Sequence, residues 1–189
     1  MKPGVRALGL AESYRSDRST VCGVVTTTEG VVDGVTFADC TVGGLDATDA
    51  LLSCWEDLGR EDVQYVFVSG VALAWYNLID APRLAEGLDV PALLITYEAS
   101  DGLSAPLAEV FTGDALTVRK QRYDRLPSRI SVELPDGEVF VRVLGDDVAD
   151  PAAVVRSFTR AGQRPEPVRV ARLAARGADR WCTDESESL

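Results

Sequence analysis

Histidine is absent from this chain of 189 residues. Its absence excludes imidazole general bases, Ser-His and Cys-His nucleophile pairs, and the commonest zinc ligand. Lysine is almost missing as well, with Lys2 and Lys120 the only two. The four cysteines, Cys22, Cys40, Cys54 and Cys182, are scattered with no CxxC pair. They therefore indicate neither a structural zinc site nor a redox dithiol, and are expected to be reduced and mostly buried. No apolar run reaches the roughly 20 residues that span a bilayer. The N-terminal segment, broken by Arg6 and Gly9, lacks a signal-peptide core. The expected location is cytoplasmic, with no membrane partner. Any chemistry in such a chain has to rest on carboxylates.

What is present is acid. Thirty Asp plus Glu face nineteen Lys plus Arg, for a formal net charge of -11. An acidic, lysine-poor composition points to a halophilic protein, because excess carboxylates hold hydration in a salty cytoplasm while salt screens their repulsion. A hydrophobic content of 46% suffices for a buried core. The expected organisation is a single domain over residues 1–182 and an acidic tail, 183–189, that is disordered.

The chain is organised around Tyr65 to Asp80, YVFVSGVALAWYNLID. Tyr65 to Val68 is β-branched and aromatic, and too short for a helix; it reads as a central strand that stops at Ser69-Gly70. Ligands of open α/β sheets gather outside the carboxyl ends of such strands. A plain Ser-Gly turn is the competing reading.

Before it, Val5 to Ala11, Thr20 to Thr28 and Val31 to Cys40 read as strands, with Glu12 to Ser19 a polar turn and Glu29-Gly30 a hairpin turn. Asp33-Gly34 reads as a bulge or bend. Asp46 is placed to cap a helix over Ala47 to Leu58 that Gly59 ends. Further on, a short helix from Asp80, a buried strand over Val90 to Tyr97 and a helix over Ser104 to Phe111 are expected. They are followed by a hairpin turning at Asp136-Gly137, a helix from Asp150-Pro151, and a last helix carrying Arg169, Arg172, Arg176 and Arg180 on one stripe. The fold class is α/β: three antiparallel strands followed by two parallel strands, the ribonuclease H-like mixed sheet with flanking helices, plus a C-terminal hairpin and helices.

Four stretches, Ala7-Leu8-Gly9-Leu10, Gly44-Leu45-Asp46-Ala47-Thr48, Ser69-Gly70 through Asn77-Leu78-Ile79-Asp80, and Pro165-Glu166-Pro167-Val168-Arg169-Val170-Ala171, occur in this order. In them the chain resembles the largely archaeal family called domain of unknown function ninety-nine, which is similar to endonuclease V. The resemblance implies a nuclease ancestry, in which carboxylates on the first and fourth strands hold Mg²⁺ ions about 4 Å apart and clamp a phosphoryl displacement. The departures fall on those positions. The first strand of the family ends in Asp-Asp-Gly, here Ala11-Glu12-Ser13; the central strand ends in Asp-Gly, here Ser69-Gly70; Val-Asp-Gly becomes Val42-Gly43-Gly44; and Gly-Phe-Asn becomes Trp75-Tyr76-Asn77. The implied metal positions are thus Ala11 and Ser69, which cannot ligate a hard cation as carboxylates do.

The candidate crevice is Ala11, Ser69, Gly70, Trp75, Tyr76 and Asn77. Glu12 points away from Ala11 by strand parity. Asp46 and Asp80 have capping roles open to them. Asn77 needs a partner if buried. Trp75 and Tyr76 suit base stacking, a core or an interface. The arginine stripe suits phosphates, though pairing with carboxylates of this acidic chain is favoured.

The leading reading is an endonuclease V-like protein with a degenerate metal site and no cofactor, binding nucleic acid or protein without catalysis. The enzyme alternative is a Mg²⁺-dependent nuclease acting on DNA or RNA, and it requires Glu12, Asp46 and Asp80 to converge. A homo-oligomer joined through Trp75 and Tyr76 is the third.

Overall fold

The computed structural model describes residues 4–146 and 148–186, with 183–186 by backbone alone. Three antiparallel strands lead: β1 (Arg6–Tyr14), β2 (Arg18–Thr27) and β3 (Val32–Thr41). The first hairpin is tighter than its polar sequence suggests. Ser13 pairs with Thr20 and Tyr14 with Ser19, so Glu12 belongs to a strand and not to a turn. Backbone pairing along β2 overrides the local preference of Glu-Ser for a loop. Asp33 is the extra residue of a bulge, since the register jumps from Val25 opposite Gly34 to Thr26 opposite Val32.

Helix α1 (Ala47–Leu58) crosses to β4 (Val63–Ser69), and Gly59 ends it in the left-handed conformation. β4 pairs in parallel with β1 and with β7 (Ala92–Thr96), so it is the central strand expected. Between them lie the two-stranded ribbon of β5 (Ala72–Leu73) and β6 (Asn77–Leu78), and α2 (Ala81–Gly87). The sheet order is β3-β2-β1-β4-β7-β9-β8. The C-terminal hairpin, β8 (Ile130–Leu134) and β9 (Gly137–Leu144), is therefore part of the main sheet, with β9 antiparallel to β7.

Two cores result, one on each face. Leu8, Leu10, Val66, Val68 and Leu94 face α1 and α2, while Ala7, Ala11, Phe67, Leu93 and Ile95 face α5 (Pro151–Phe158) and α6 (Glu166–Ser186). α6 lies along β1: a Cβ on Gly9 would stand 2.1 Å from the Pro167 carbonyl carbon, and Ser13 reaches Asp179 further along the helix. α6 continues to Ser186, so the backbone of the first four tail residues is helical; 187–189 lie outside the described residues. Beyond the carboxyl ends of the central strands sit α3 (Ser104–Val110) and α4 (Gly113–Asp124). α4 was not expected, because Gly113–Asp124 carries no apolar stripe to announce it.

Candidate functional site

The crevice forms where β1, β4 and β7 end. Ser69 is opposite Ile95, and Leu10 opposite Val68. Alternation along the strands then sends Ala11, Ser69 and Tyr97 toward α6, and Glu12 toward α1. Ala11 is fully buried. Gly70, at φ 105°, turns the chain out of β4 and donates its N–H to the Ile95 carbonyl at 2.8 Å.

The loop that follows is strained. Ala74, Trp75 and Tyr76 have φ of 38°, 57° and 60°, three left-handed residues in a row, none of them glycine. Each costs of order 1–2 kcal/mol, so neighbours must hold them there. Gly43 donates its N–H to the Ala74 carbonyl at 2.8 Å, and having no side chain it leaves room for the Trp75 ring. Arg119 of α4, 4% exposed, donates to the carbonyls of Tyr76 (3.2 Å) and Gly44 (3.1 Å) and to that of Gly43, and lies 3.9 Å over the Phe111 ring. Arg122 donates to the Leu45 and Leu78 carbonyls at 2.8 Å. Tyr76 meets Trp75 and Phe111 edge to face, Trp75 and Phe111 are tilted against each other, and Trp75 stays half exposed. Trp75 and Tyr76 thus lie outside both buried cores.

The three candidate carboxylates each have separate partners. Glu12 accepts from the Ser19 hydroxyl at 2.9 Å. Asp46 does not cap α1 with its side chain, as the sequence suggested. It accepts from the Thr41 N–H (3.1 Å), the Thr41 hydroxyl (2.8 Å) and the Asn77 amide (2.6 Å). Burial pushes its pKa up, but those donors outweigh it and hold the carboxyl below its ordinary value. The first N–H of α1, at Ala47, is satisfied instead by Asn77 Oδ1 at 2.9 Å. Asn77 is fully buried and also donates to the Thr41 carbonyl at 2.8 Å, so one amide ties β3, α1 and β6 together. Asp80 caps α2 and faces Arg122 at 3.8 Å.

Among the described residues, no group of three or more His, Cys, Asp or Glu is placed to hold a metal ion. The divalent metal ions implied by the resemblance do not fit this donor set. Where the strands end the side chains are methyl, hydroxyl, phenol and guanidinium. Cys22, Cys40 and Cys54 are buried, and burial pushes their thiols up to about 12, far from a reactive thiolate.

The positive charges at this end come from α6 and its approach. Arg169 forks onto Glu166 at 2.6 and 2.8 Å, so the expected pairing with carboxylate holds there. It does not extend along the stripe: among the described residues no carboxylate lies within 4 Å of Arg164, Arg172 or Arg176. Arg164, Arg169, Arg172, Leu173 and Arg176 line a cavity of about 200 Å³. Burial, then Arg176 and Arg164, pull the Arg172 pKa down. Arg164 lies 4.4 Å over the Tyr97 ring. A larger cavity, about 690 Å³, opens between the β2–β3 ends and the far part of α6; its lining holds Asp17, Asp39 and Asp179 against Arg18, with Arg18 paired to Asp39 and Asp179 to Arg15. Tyr97, Arg164, Arg119 and Arg122 escaped the sequence reading. Tyr97 was visible only as the end of an apolar strand, and the arginines stand in no motif.

This geometry has counterparts. The crystal structure of a protein of unknown function from Archaeoglobus fulgidus superposes with a TM-score of 0.80 at 24% identity, over 92% of this chain and 98% of that one. Human endonuclease V superposes at 0.63 and 15% identity, over 95% and 86% of the two chains. Ciona intestinalis endonuclease V, solved with a 24mer DNA containing an inosine followed by a ribo-adenosine, gives 0.63 at 14%, over 94% and 86%. These likenesses establish the fold. In sequence, UPF0215 proteins of Pyrobaculum calidifontis and Pyrobaculum aerophilum are 29% and 30% identical, covering 95% and 90% of this chain and 100% and 92% of theirs. The family model for endonuclease dU matches residues 3–178. The chain belongs to the endonuclease dU family, a family of endonuclease V-like proteins.

Proposed function

We propose that this protein binds nucleic acid in the endonuclease V manner but does not cleave it by a metal mechanism. One observation carries the reading. The two strand ends that would face each other with carboxylates carry Ala11 and Ser69, while Glu12, Asp46 and Asp80 are held by Ser19, by Thr41 with Asn77, and by the α2 N-terminus. Without paired carboxylates the charge developing in phosphoryl transfer loses most of its stabilisation. Two features support retained binding. Trp75 is half exposed on a loop held rigid by Arg119, suited to stacking on a base. The crevice rim carries Arg164, Arg172 and Arg176, which have no carboxylate within 4 Å among the described residues.

The test uses end-labelled single- and double-stranded DNA and RNA, with a deoxyuridine or deoxyinosine in the DNA, at high salt with Mg²⁺, with Mn²⁺ and with EDTA. Fluorescence anisotropy is expected to report binding of similar strength in all three, with no nicking on a denaturing gel. Metal-dependent nicking that Glu12→Gln abolishes would replace this reading with the nuclease one.

A further inference from the structure

Two of the buried polar atoms without a hydrogen-bond partner lie together: the Tyr97 hydroxyl and Nε of Arg164. Both belong to the rim formed by β7 and the approach to α6. Burial is the main influence on Tyr97 and raises its pKa. Ser69 and Arg164 lie close enough to temper that rise, yet neither is in hydrogen-bonding geometry with the hydroxyl. A buried orphan of this kind is destabilising unless something fills it. An unpaired hydroxyl donates readily, and a guanidinium Nε–H has no other option. The Arg164 Nε–H calls for an acceptor, and the Tyr97 hydroxyl can donate to the same one; a metal ion would serve neither donor.

The charges agree. In a chain of net charge -11, Arg6, Arg15, Arg18, Arg60, Arg83, Arg122 and Arg169 each have a carboxylate within 4 Å. Among the arginines with none among the described residues, Arg164, Arg172 and Arg176 line one cavity of about 200 Å³ together. The charges felt by Arg172 are those of Arg176 and Arg164, then Glu12 from the other face of β1, then Tyr97. Like charges held together are costly, and a phosphate group matches guanidinium forks bidentately while offering enough oxygens for several of them at once.

We propose that Arg164, Arg172 and Arg176, with the Tyr97 hydroxyl, form a metal-independent binding site for a phosphate group, at the strand ends where the resemblance implies metal ions. The guanidinium groups supply the positive charge that the metal would supply. This deepens the nucleic-acid reading, from which it takes the source of the phosphate, a strand backbone; the chemistry of the site does not depend on that source.

The experiment measures two ligands in EDTA: a fluorescein-labelled single strand by anisotropy, and inorganic phosphate by calorimetry. Proteins are the parent, Arg172→Gln, Arg172→Lys, Arg164→Gln and Tyr97→Phe, each with a melting curve. Arg→Gln variants are expected to bind both ligands about tenfold more weakly, and to lower the salt slope of strand binding by about one. Arg172→Lys keeps the charge but not the fork, and should fall between. Tyr97→Phe removes an orphaned hydroxyl, so it should melt no lower than the parent while weakening phosphate binding. If strand binding is intact in every variant, the site is overturned and the nucleic-acid reading stands. If only inorganic phosphate binds, and Arg172→Gln loses it, the site stands with a free phosphate as its ligand and the nucleic-acid reading falls. Binding of neither ligand overturns both. A Tyr97→Phe variant that melts early and binds phosphate normally overturns the hydroxyl's role alone.

Discussion

Asn77 does more structural work than any other polar side chain of the loop. Its amide satisfies the Ala47 N–H, the Thr41 carbonyl and Asp46 while fully buried. Asn77→Ala is expected to lower stability by about 2–4 kcal/mol, because it strands a buried donor and a buried acceptor, and urea unfolding would measure it. Asp46 makes a pH prediction at the same place. Its folded pKa lies below the unfolded carboxylate value, so its contribution is present above that value and is lost as pH falls through the folded one. The window lies below about pH 4. Asp46→Asn should therefore be less stable than the parent at pH 7 and lose less on acidification, read from urea midpoints across that range. That Asn77 needed a partner was legible from its apolar neighbours. That the partner was a helix N-terminus thirty residues back was not, because a cap supplied through space leaves no local spacing.

At the scale of elements, the loop from Gly70 to Asp80 is a conformation its own sequence does not favour. Three left-handed non-glycine residues persist because α4 arginines and Gly43 hold their backbone. α4 was illegible for the same reason that it matters: its side chains serve carbonyls of other loops instead of an apolar core. The approach of α6 to β1 is equally specific. Gly9 leaves no room for a Cβ against Pro167. Gly9→Ala should destabilise by about 3 kcal/mol or more, since the obstacle is backbone and cannot rotate away. Calorimetric melting measures this. The same variant would push α6, and with it Arg172, away from Tyr97.

Over the whole molecule, the acidic excess governs the response to salt. With a net charge of -11 and only two lysines, the folded state carries self-repulsion that electrolyte screens. The melting temperature is expected to rise steadily from dilute buffer to molar KCl, while strand binding weakens over the same range. A melting temperature indifferent to KCl would remove the halophilic reading. No helix among the described residues is long and apolar enough to cross a membrane.

The antiparallel order of the first three strands, the central place of β4 and a bulge or bend at Asp33-Gly34 were legible in the sequence alone, as were the identities of Ala11 and Ser69 at the strand ends. These follow from alternation, turn residues and residue identity, all of which are local. The tertiary structure decided which groups meet. Asn77 caps α1, Arg119 holds Tyr76, the C-terminal hairpin closes onto β7, and Arg164 and Arg172 come to Tyr97. Such meetings depend on chain crossings that bring residues dozens of positions apart into contact, and no periodicity in a linear pattern encodes them.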